Sequence, residues 1–287
     1  NQRVVSVNGT RLYNALSTAV ASDLSTHANL VGSQTLTLSG TGTIASKNVG
    51  SSKTVSLGTL ALADGSNGGL AANYTLTGGT HQLTVNQRPL AATIARQYDG
   101  TKTASGSDLS SFNALQGGET LTLSGSGSVS DENVASGQSV TLGTLALVNG
   151  TGLASNYSLS SASLNITQRV LNSSGSKTYD ANTNALAGAI TLSNLVSGET
   201  LNHSGTASVS SANAGSYTIS NLSGISIADN AGTASNYTLT GGTHNFTVNQ
   251  RVVSVNGTRL YNALSTAVVS DFSTHANLVG SQTLTLS

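Results

Sequence analysis

The sequence predicts an all-β chain of tandem small β-sandwich domains, Ig-like or β-grasp-like, strung into an elongated rod. Three observations predict it: apolar residues alternate with Thr or Ser, glycines punctuate the alternating runs, and a set of landmarks returns at a fixed interval. In Thr35-Leu36-Thr37-Leu38 and Thr120-Leu121-Thr122-Leu123 the leucines fall on one face of an extended chain and the threonines on the other, as a half-buried strand requires. Val55-Ser56-Leu57 and Leu60-Ala61-Leu62 repeat the pattern, with Gly58 between them as the expected bend. Gly78-Gly79 and Gly241-Gly242 separate alternating runs and predict hairpin turns. The one helix-like stretch, around Leu16 to Leu24, is rich in Ser, Thr and Val and weak for a helix.

The interval is marked by Gln-Arg pairs that begin at Gln2, Gln87, Gln168 and Gln250, hence spacings of 85, 81 and 82 residues. Within each interval a tyrosine turn comes first, at Tyr13-Asn14, Tyr98-Asp99-Gly100, Tyr179-Asp180 and Tyr261-Asn262. An alternating strand led by Gly and Glu follows. Later an Asn-Tyr pair opens another strand, at Tyr74, Tyr157 and Tyr237. This predicts repeats at 2–86, 87–167 and 168–249 and a truncated fourth at 250–287. A longer period overlies the first: residues 1–39 return at 249–287 with two changes, Ala21 to Val269 and Leu24 to Phe272. The Asn1-Gln2-Arg3 opening without an initiator Met and the end in mid-repeat lead us to expect a piece of a longer array. A β-solenoid would need a coil period of roughly 20–30 residues, and no such ladder is present.

The junctions predict stiffness. Val85-Asn86-Gln87-Arg88-Pro89 and Ile166-Thr167-Gln168-Arg169-Val170 run one strand into the next with no Gly/Ser linker, although the chain is rich in both residues elsewhere. By compact-domain scaling each repeat is roughly 30–40 Å long.

Composition excludes several functions. Charged residues are 8 % of the chain, against about a quarter in ordinary soluble domains, and Lys+Arg and Asp+Glu balance at 11 each. No basic patch is available for a phosphate backbone, so no nucleic-acid partner is expected. Apolar runs are only a few residues long, so no membrane insertion is expected. There is no Cys for a disulfide framework. The densest acidic cluster, Asp131-Glu132, has no counterpart in other repeats and falls short of a calcium loop. The five histidines, His27, His81, His203, His244 and His275, show no ligand spacing and are read as exposed or at strand edges. The lysines Lys47, Lys53, Lys102 and Lys177 share no position, which argues against an isopeptide crosslink. No nucleophile–base constellation stands out. We expect no catalytic, metal or cofactor site.

Seven of the eight tyrosines fall at the two recurring places, Tyr217 being the exception. In a chain with 4 % aromatics that regularity points to rings that fill a thin core and anchor a turn through the hydroxyl. Exposed rings for sugar or protein contact are the alternative. Asn-x-Ser/Thr sequons are frequent, and Asn8, Asn73, Asn156 and Asn236 are candidate sugar acceptors.

Tyr98-Asp99-Gly100-Thr101-Lys102-Thr103, with Asn156-Tyr157-Ser158-Leu159 downstream and the closing Asn165-Ile166-Thr167-Gln168-Arg169, resembles the YDG-type repeats of very large bacterial adhesins. Those repeats occur beside filamentous-haemagglutinin-like regions in proteins exported by two-partner secretion. The resemblance runs through the chain repeat by repeat. Only the second repeat has the whole Tyr-Asp-Gly; the others carry Tyr-Asp-Ala or Tyr-Asn-Ala, which suits a turn role because Asp and Asn both bond to nearby backbone N–H groups. The resemblance implies an extracellular, cell-surface or secreted protein of adhesion or biofilm, and no enzyme. Two functions follow as expectations. One is a stalk or filament segment whose partners are neighbouring repeats, or copies of itself in a fibre. The other is multivalent contact of the repeats with a host glycan or protein.

Overall fold

Period-two alternation sets the local structure. The computed structural model describes residues 1–287 except for the side chains of Thr26 and Ser220. Among the described residues there is no α-helix, only 3-10 turns of three residues, and no helix is long and apolar enough to cross a membrane. One such turn, Ala21–Asp23, falls in the stretch that looked weakly helical.

The first repeat contains β1 (Arg3–Val4), β2 (Ser6–Leu12), β3 (Thr18–Val20), β4 (Thr26–Ala28), β5 (Leu36–Ser39), β6 (Thr41–Ile44), β7 (Gly50–Ser56), β8 (Ala61–Asp64), β9 (Tyr74–Thr75) and β10 (Gln82–Asn86). Six of them form a sheet in the order β3-β6-β7-β10-β2-β4, and β5-β8 and β1-β9 make two short pairs. The first and last strands are parallel neighbours: Arg3 of β1 faces Tyr74 of β9, and Asn8 of β2 faces Gln82 of β10. Because they run the same way, the chain enters the repeat at one end of the sheet and leaves it at the other.

The third repeat keeps this order, from Ile190–Ser193 through Asn172–Thr178, His244–Asn249, Gly215–Asn221 and Asn202–Val209 to Asn184–Leu186. The second keeps its centre: Leu109–Phe112, Arg88–Gln97, Tyr157–Thr167 and Ala135–Ser139. Tyr157–Thr167 is one unbroken strand because it lacks the glycine pair found at 78–79 and 241–242.

Those glycines do not make the expected hairpins. Gly78 turns the chain at φ 84°, and Gly79 N–H donates to the Leu76 carbonyl at 3.0 Å. The flanking strands, however, do not pair with each other: β9 lies on β1, whereas β10 lies on β2 and β7. The turn is a jog from one sheet to the next. His81 fastens it, with Nε2 donating to Leu76 O at 2.8 Å while Nδ1 accepts from Val7 N–H at 3.3 Å. His244 does the same between Leu239 O (2.8 Å) and the Ser173 hydroxyl (2.9 Å). Both imidazoles are buried, which corrects the reading of the histidines as exposed or at strand edges. A short polar turn otherwise lacks partners for its carbonyls, and the ring supplies one.

Two compact units result: Asn1–Arg96 with Thr101–Ile166, and Gln97–Gly100 with Thr167–Ser287. In the first, two repeats share a core, since Val5, Leu24, Leu83 and Leu90 cluster with Leu121 and Tyr157. In the second, Phe246 and Val248 pack with Val209, Ile219 and Ile225 of the third repeat. Residues 250–287 hold equivalents of β2 and β4 only, the antiparallel pair Ser254–Gly257 and Phe272–Ala276. Their side chains lack the burial of the first repeat: Tyr13 is 0 % exposed, its equivalent Tyr261 94 %.

Backbones approach closely where a glycine sits in the first strand. A Cβ on Gly175 would stand 2.2 Å from Ala189 O and 2.8 Å from the Phe246 ring. Gly175→Ala should therefore lower the stability of the third repeat by about 2–3 kcal/mol, read as a lower urea midpoint; an unchanged midpoint would contradict this packing.

Candidate functional site

The recurring tyrosine turn is built by three local devices. In the first repeat Asn14 Oδ1 accepts from Leu16 N–H at 3.1 Å, and Ala15 takes φ 62°. The equivalents of Ala15 are Gly100 at φ 74°, Ala181 at 64° and Ala263 at 59°. The third place of the motif thus requires the left-handed region, where glycine is unstrained. A cation two residues before the tyrosine closes the loop. Arg11 donates to the carbonyls of Leu16 and Thr18 and pairs with Asp23 at 3.0 Å. Arg96 reaches the carbonyls of Thr101 and Thr103, Lys177 that of Asn182, and Arg259 those of Leu264 and Thr266. Of the lysines only Lys177 takes this place, which Arg fills in the other repeats.

The turn delivers its tyrosine into a socket made by the following repeat. Tyr13 OH donates to Glu119 Oε1 at 2.6 Å, and Tyr157 OH donates to Glu119 Oε2 at 2.9 Å while accepting from Gln116 N–H at 3.1 Å. The two rings meet edge to face, with centroids 5.3 Å apart. Lys47 Nζ lies 2.8 Å from Glu119 Oε1 and 5.9 Å from the Tyr13 ring centroid. In the second unit Tyr98 and Tyr237 each donate to one oxygen of Glu199 at 2.6 Å, with centroids 5.5 Å apart, and Val196 N–H donates to Tyr237 OH at 3.1 Å. One carboxylate thus joins two tyrosines, one from each side of a repeat boundary.

The Gln-Arg pair serves the same socket. Gln87 Nε2 donates to Ser155 O and Gln168 Nε2 to Ser235 O, each holding the 3-10 turn that aims the Asn-Tyr strand. Arg88 Nε donates to the Tyr13 carbonyl at 2.7 Å. Arg169 reaches Tyr98 O through Nη1 at 3.4 Å and spends Nε and Nη2 on Asn194. Ala114, which stands where the third repeat has Asn194, lacks the side-chain oxygen that holds Nη2 of Arg169. Finally, Val49 N–H donates to Asn156 Oδ1 at 2.9 Å and Asn156 Nδ2 to Asn48 Oδ1 at 3.0 Å.

Burial and hydrogen bonding polarise the site. Burial opposes ionisation of Glu119, but the hydrogen bonds from Lys47, Tyr13 and Tyr157 outweigh it and hold the carboxyl below its ordinary range. Burial first, and then the carboxylate, raise Tyr13 and Tyr98 and push Tyr237 up to about 12. Tyr157 is likewise pushed up to about 12 by burial and by Glu119, against the Gln116 N–H, which lowers it.

Of the residues singled out by sequence, Tyr13, Tyr74, Tyr98, Tyr157 and Tyr237 are buried, Tyr179 and Asp180 half-buried, and Asp99, Gly100 and Tyr261 exposed. Asn156 and Asn236 are each 1 % exposed, so neither can carry a sugar in the folded chain; Asn8 is half-buried and Asn73 exposed. Glu119, Glu199, Arg11, Arg96 and Arg259 were given no role by the sequence, Lys47 was weighed only for a crosslink, and the Gln-Arg pairs served only as markers of the interval. The available signal was the position before the alternating Thr-Leu strand, which reads Gln34, Glu119, Glu199 and Gln282 through the four repeats. Asp131 Oδ1 accepts from Asn133 N–H, and Glu132 lies 3.5 Å from Lys102. Among the described residues no group of three or more His, Cys, Asp or Glu side chains is placed to hold a metal.

The fold and its junctions define a class: tandem all-β repeats, each of which passes a tyrosine turn into its successor. The family model of the YDG domain matches residues 2–82, 80–164 and 164–245, so the chain belongs to the YDG domain family and carries three tandem copies. No curated protein matches it.

Gln can replace the shared carboxylate, as Gln34 and Gln282 do, but without charge-assisted bonds. Glu119→Gln should cost about 1 kcal/mol and Glu119→Ala, which strands two buried hydroxyls, about 3 kcal/mol, in urea unfolding of the first unit. A depressed Glu119 stabilises that unit fully above its ordinary pKa of 4.5, and this is lost as pH falls through the folded value. The raised tyrosines stabilise it fully below 10.0 and lose that as pH rises towards 12. Thermal melts should therefore plateau between these limits, and the acid fall should flatten in Glu119→Gln; an identical acid limb in both proteins would refute the assignment.

Proposed function

We propose that this chain is a structural stalk or filament segment of an extracellular bacterial adhesin or surface fibre, spacing a distal binding region from the cell that carries it. The observation that supports it best is the shared carboxylate, which fixes a tyrosine of one repeat to a tyrosine of the next at Glu119 and again at Glu199. A flexible string of beads has no use for such a lock. The parallel first and last strands add a direction, since the first and third repeats pass the chain from one end of the sheet to the other. On this reading the partners are neighbouring repeats or further copies in a fibre, the place is the cell surface or beyond it, and no catalysis is performed.

Multivalent glycan or protein binding by the repeats draws less support, because most of the recurring tyrosines that would stack on a ligand lie inside the junctions. Small-angle scattering tests the proposal. The intact chain should give an extended particle with little bending, and the double variant Glu119→Ala/Glu199→Ala should gain flexibility. A compact or freely jointed wild-type particle would sink the stalk reading.

A further inference from the structure

Cys, Met and Trp are absent from the sequence, and with them the side chains that oxidants ordinarily take first. A one-electron oxidant is left with the eight tyrosines, and two pairs of them are set apart by their surroundings. Tyr13 and Tyr157 form one pair, Tyr98 and Tyr237 the other, and all four are buried. The ring centroids stand 5.3 and 5.5 Å apart, with the planes at 78° and 79° to each other. Within each pair the two rings come from consecutive repeats.

A phenol gives up an electron most readily when a base within hydrogen-bond reach takes its proton. Each of the four hydroxyls already donates to a carboxylate. Tyr13 and Tyr157 meet the two oxygens of Glu119 at 2.6 and 2.9 Å, and Tyr98 and Tyr237 meet those of Glu199, both at 2.6 Å. Because both hydroxyls of a pair converge on one carboxylate, the ring edges that bear them converge too. Those edges carry the Cε carbons, where a phenoxyl radical holds much of its unpaired spin. Burial holds solutes off either radical and leaves the neighbouring ring as its partner, whereas a radical on the exposed Tyr261 meets other molecules.

We propose that the pairs Tyr13/Tyr157 and Tyr98/Tyr237 are oxidative cross-linking sites, at which a one-electron oxidant joins consecutive repeats through a dityrosine bond. Each ring passes one electron to the oxidant by tunnelling through the protein. Its phenolic proton goes to the carboxylate and from there to water. One ring tilts toward the other, the two radicals pair as a Cε–Cε bond, and the hydrogens on those carbons move to the oxygens and restore the hydroxyls. Two tyrosines thus become one dityrosine with the loss of two electrons and two protons, and the oxidant, a high-valent metal complex, acts twice. The shared carboxylate holds the repeats together reversibly; the new bond makes that hold permanent. The proposal uses the junction geometry and not the stalk reading, which scattering tests separately.

The test illuminates the intact 287-residue chain, at low concentration, with tris(bipyridine)ruthenium(II) and persulfate, which takes up two electrons per cross-link. Dityrosine fluorescence should appear in the monomer band of a denaturing gel. Trypsin should then release peptide 12–47 joined to 103–169 and peptide 97–102 joined to 178–251, with fragmentation placing the last link at Tyr237. Tyr13→Phe should remove the first joined pair and leave the second, and Tyr98→Phe the reverse. Phenylalanine keeps the ring packing, and the untouched pair in each variant reports that the rest of the chain is folded. Absence of dityrosine, dityrosine confined to oligomers, or the same yield of both joined pairs in urea overturns the proposal.

Discussion

A carboxylate shared by two tyrosine hydroxyls is the interaction on which the rest of this structure depends. Moving a carboxylate out of water costs several kcal/mol unless its lone pairs are filled. Glu119 fills them with Tyr13, Tyr157 and Lys47. Because the donors come from two repeats, the electrostatic requirement of a single side chain becomes a requirement on how those repeats pack. The arginine that grips the tyrosine carbonyl and the asparagine that meets the loop at Asn48 and Val49 restrain the same contact from other sides. A core that runs from Val5 through Leu90 to Leu121 and Tyr157 follows from that arrangement. In repeat proteins the contacts between neighbours carry much of the cooperativity, and here they also hold four buried tyrosines, Tyr13, Tyr98, Tyr157 and Tyr237.

The sheet topology makes this contact repeatable. Parallel first and last strands put entry and exit at opposite ends of a repeat, so the tyrosine turn after the first strand lies close to where the last strand hands the chain on. Tyr13 N–H donates to Asn86 O, Tyr98 N–H to Thr167 O, and Tyr179 N–H to Asn249 O, each at 2.9 Å. The last strand of a repeat therefore holds that repeat's own tyrosine turn in place for its successor.

Much of the fold was legible because strand periodicity is local. Thr37 and Leu38 announce their faces without reference to anything distant, and the Tyr and Asn-Tyr landmarks declare themselves by recurrence. The partner of a buried group is a different matter. Tyr13 bonds a carboxylate 106 residues away, and nothing near Glu119 in the sequence sets it apart from an exposed residue leading into a strand. His81 and His244 looked like polar residues at turns; their burial follows from the jog between sheets, which alternation alone cannot reveal. Asn156 and Asn236 matched a sugar-acceptor pattern because Asn is short and precedes Tyr-Ser or Tyr-Thr. What removes Asn156 from reach is a neighbouring repeat, through Asn48 and Val49. Sequence patterning tells which face is covered, and the third dimension tells by what.

The near-identity of residues 1–39 and 249–287 recurs across 248 residues, whereas adjacent repeats keep the tyrosine contact but differ around it. Lys47 becomes Glu132 and then Ala212, and the strand Tyr157–Thr167 lacks the jog of its counterparts. A segment borrowed from the next repeat would bring a loop of the wrong charge or a strand of the wrong length. The interchangeable segment leaves the ribosome only after the first repeat has had time to close on its own last strand. Divergence between neighbours thus serves as a folding chaperone written into the chain itself, keeping a repetitive protein from pairing with the wrong copy of its own sequence.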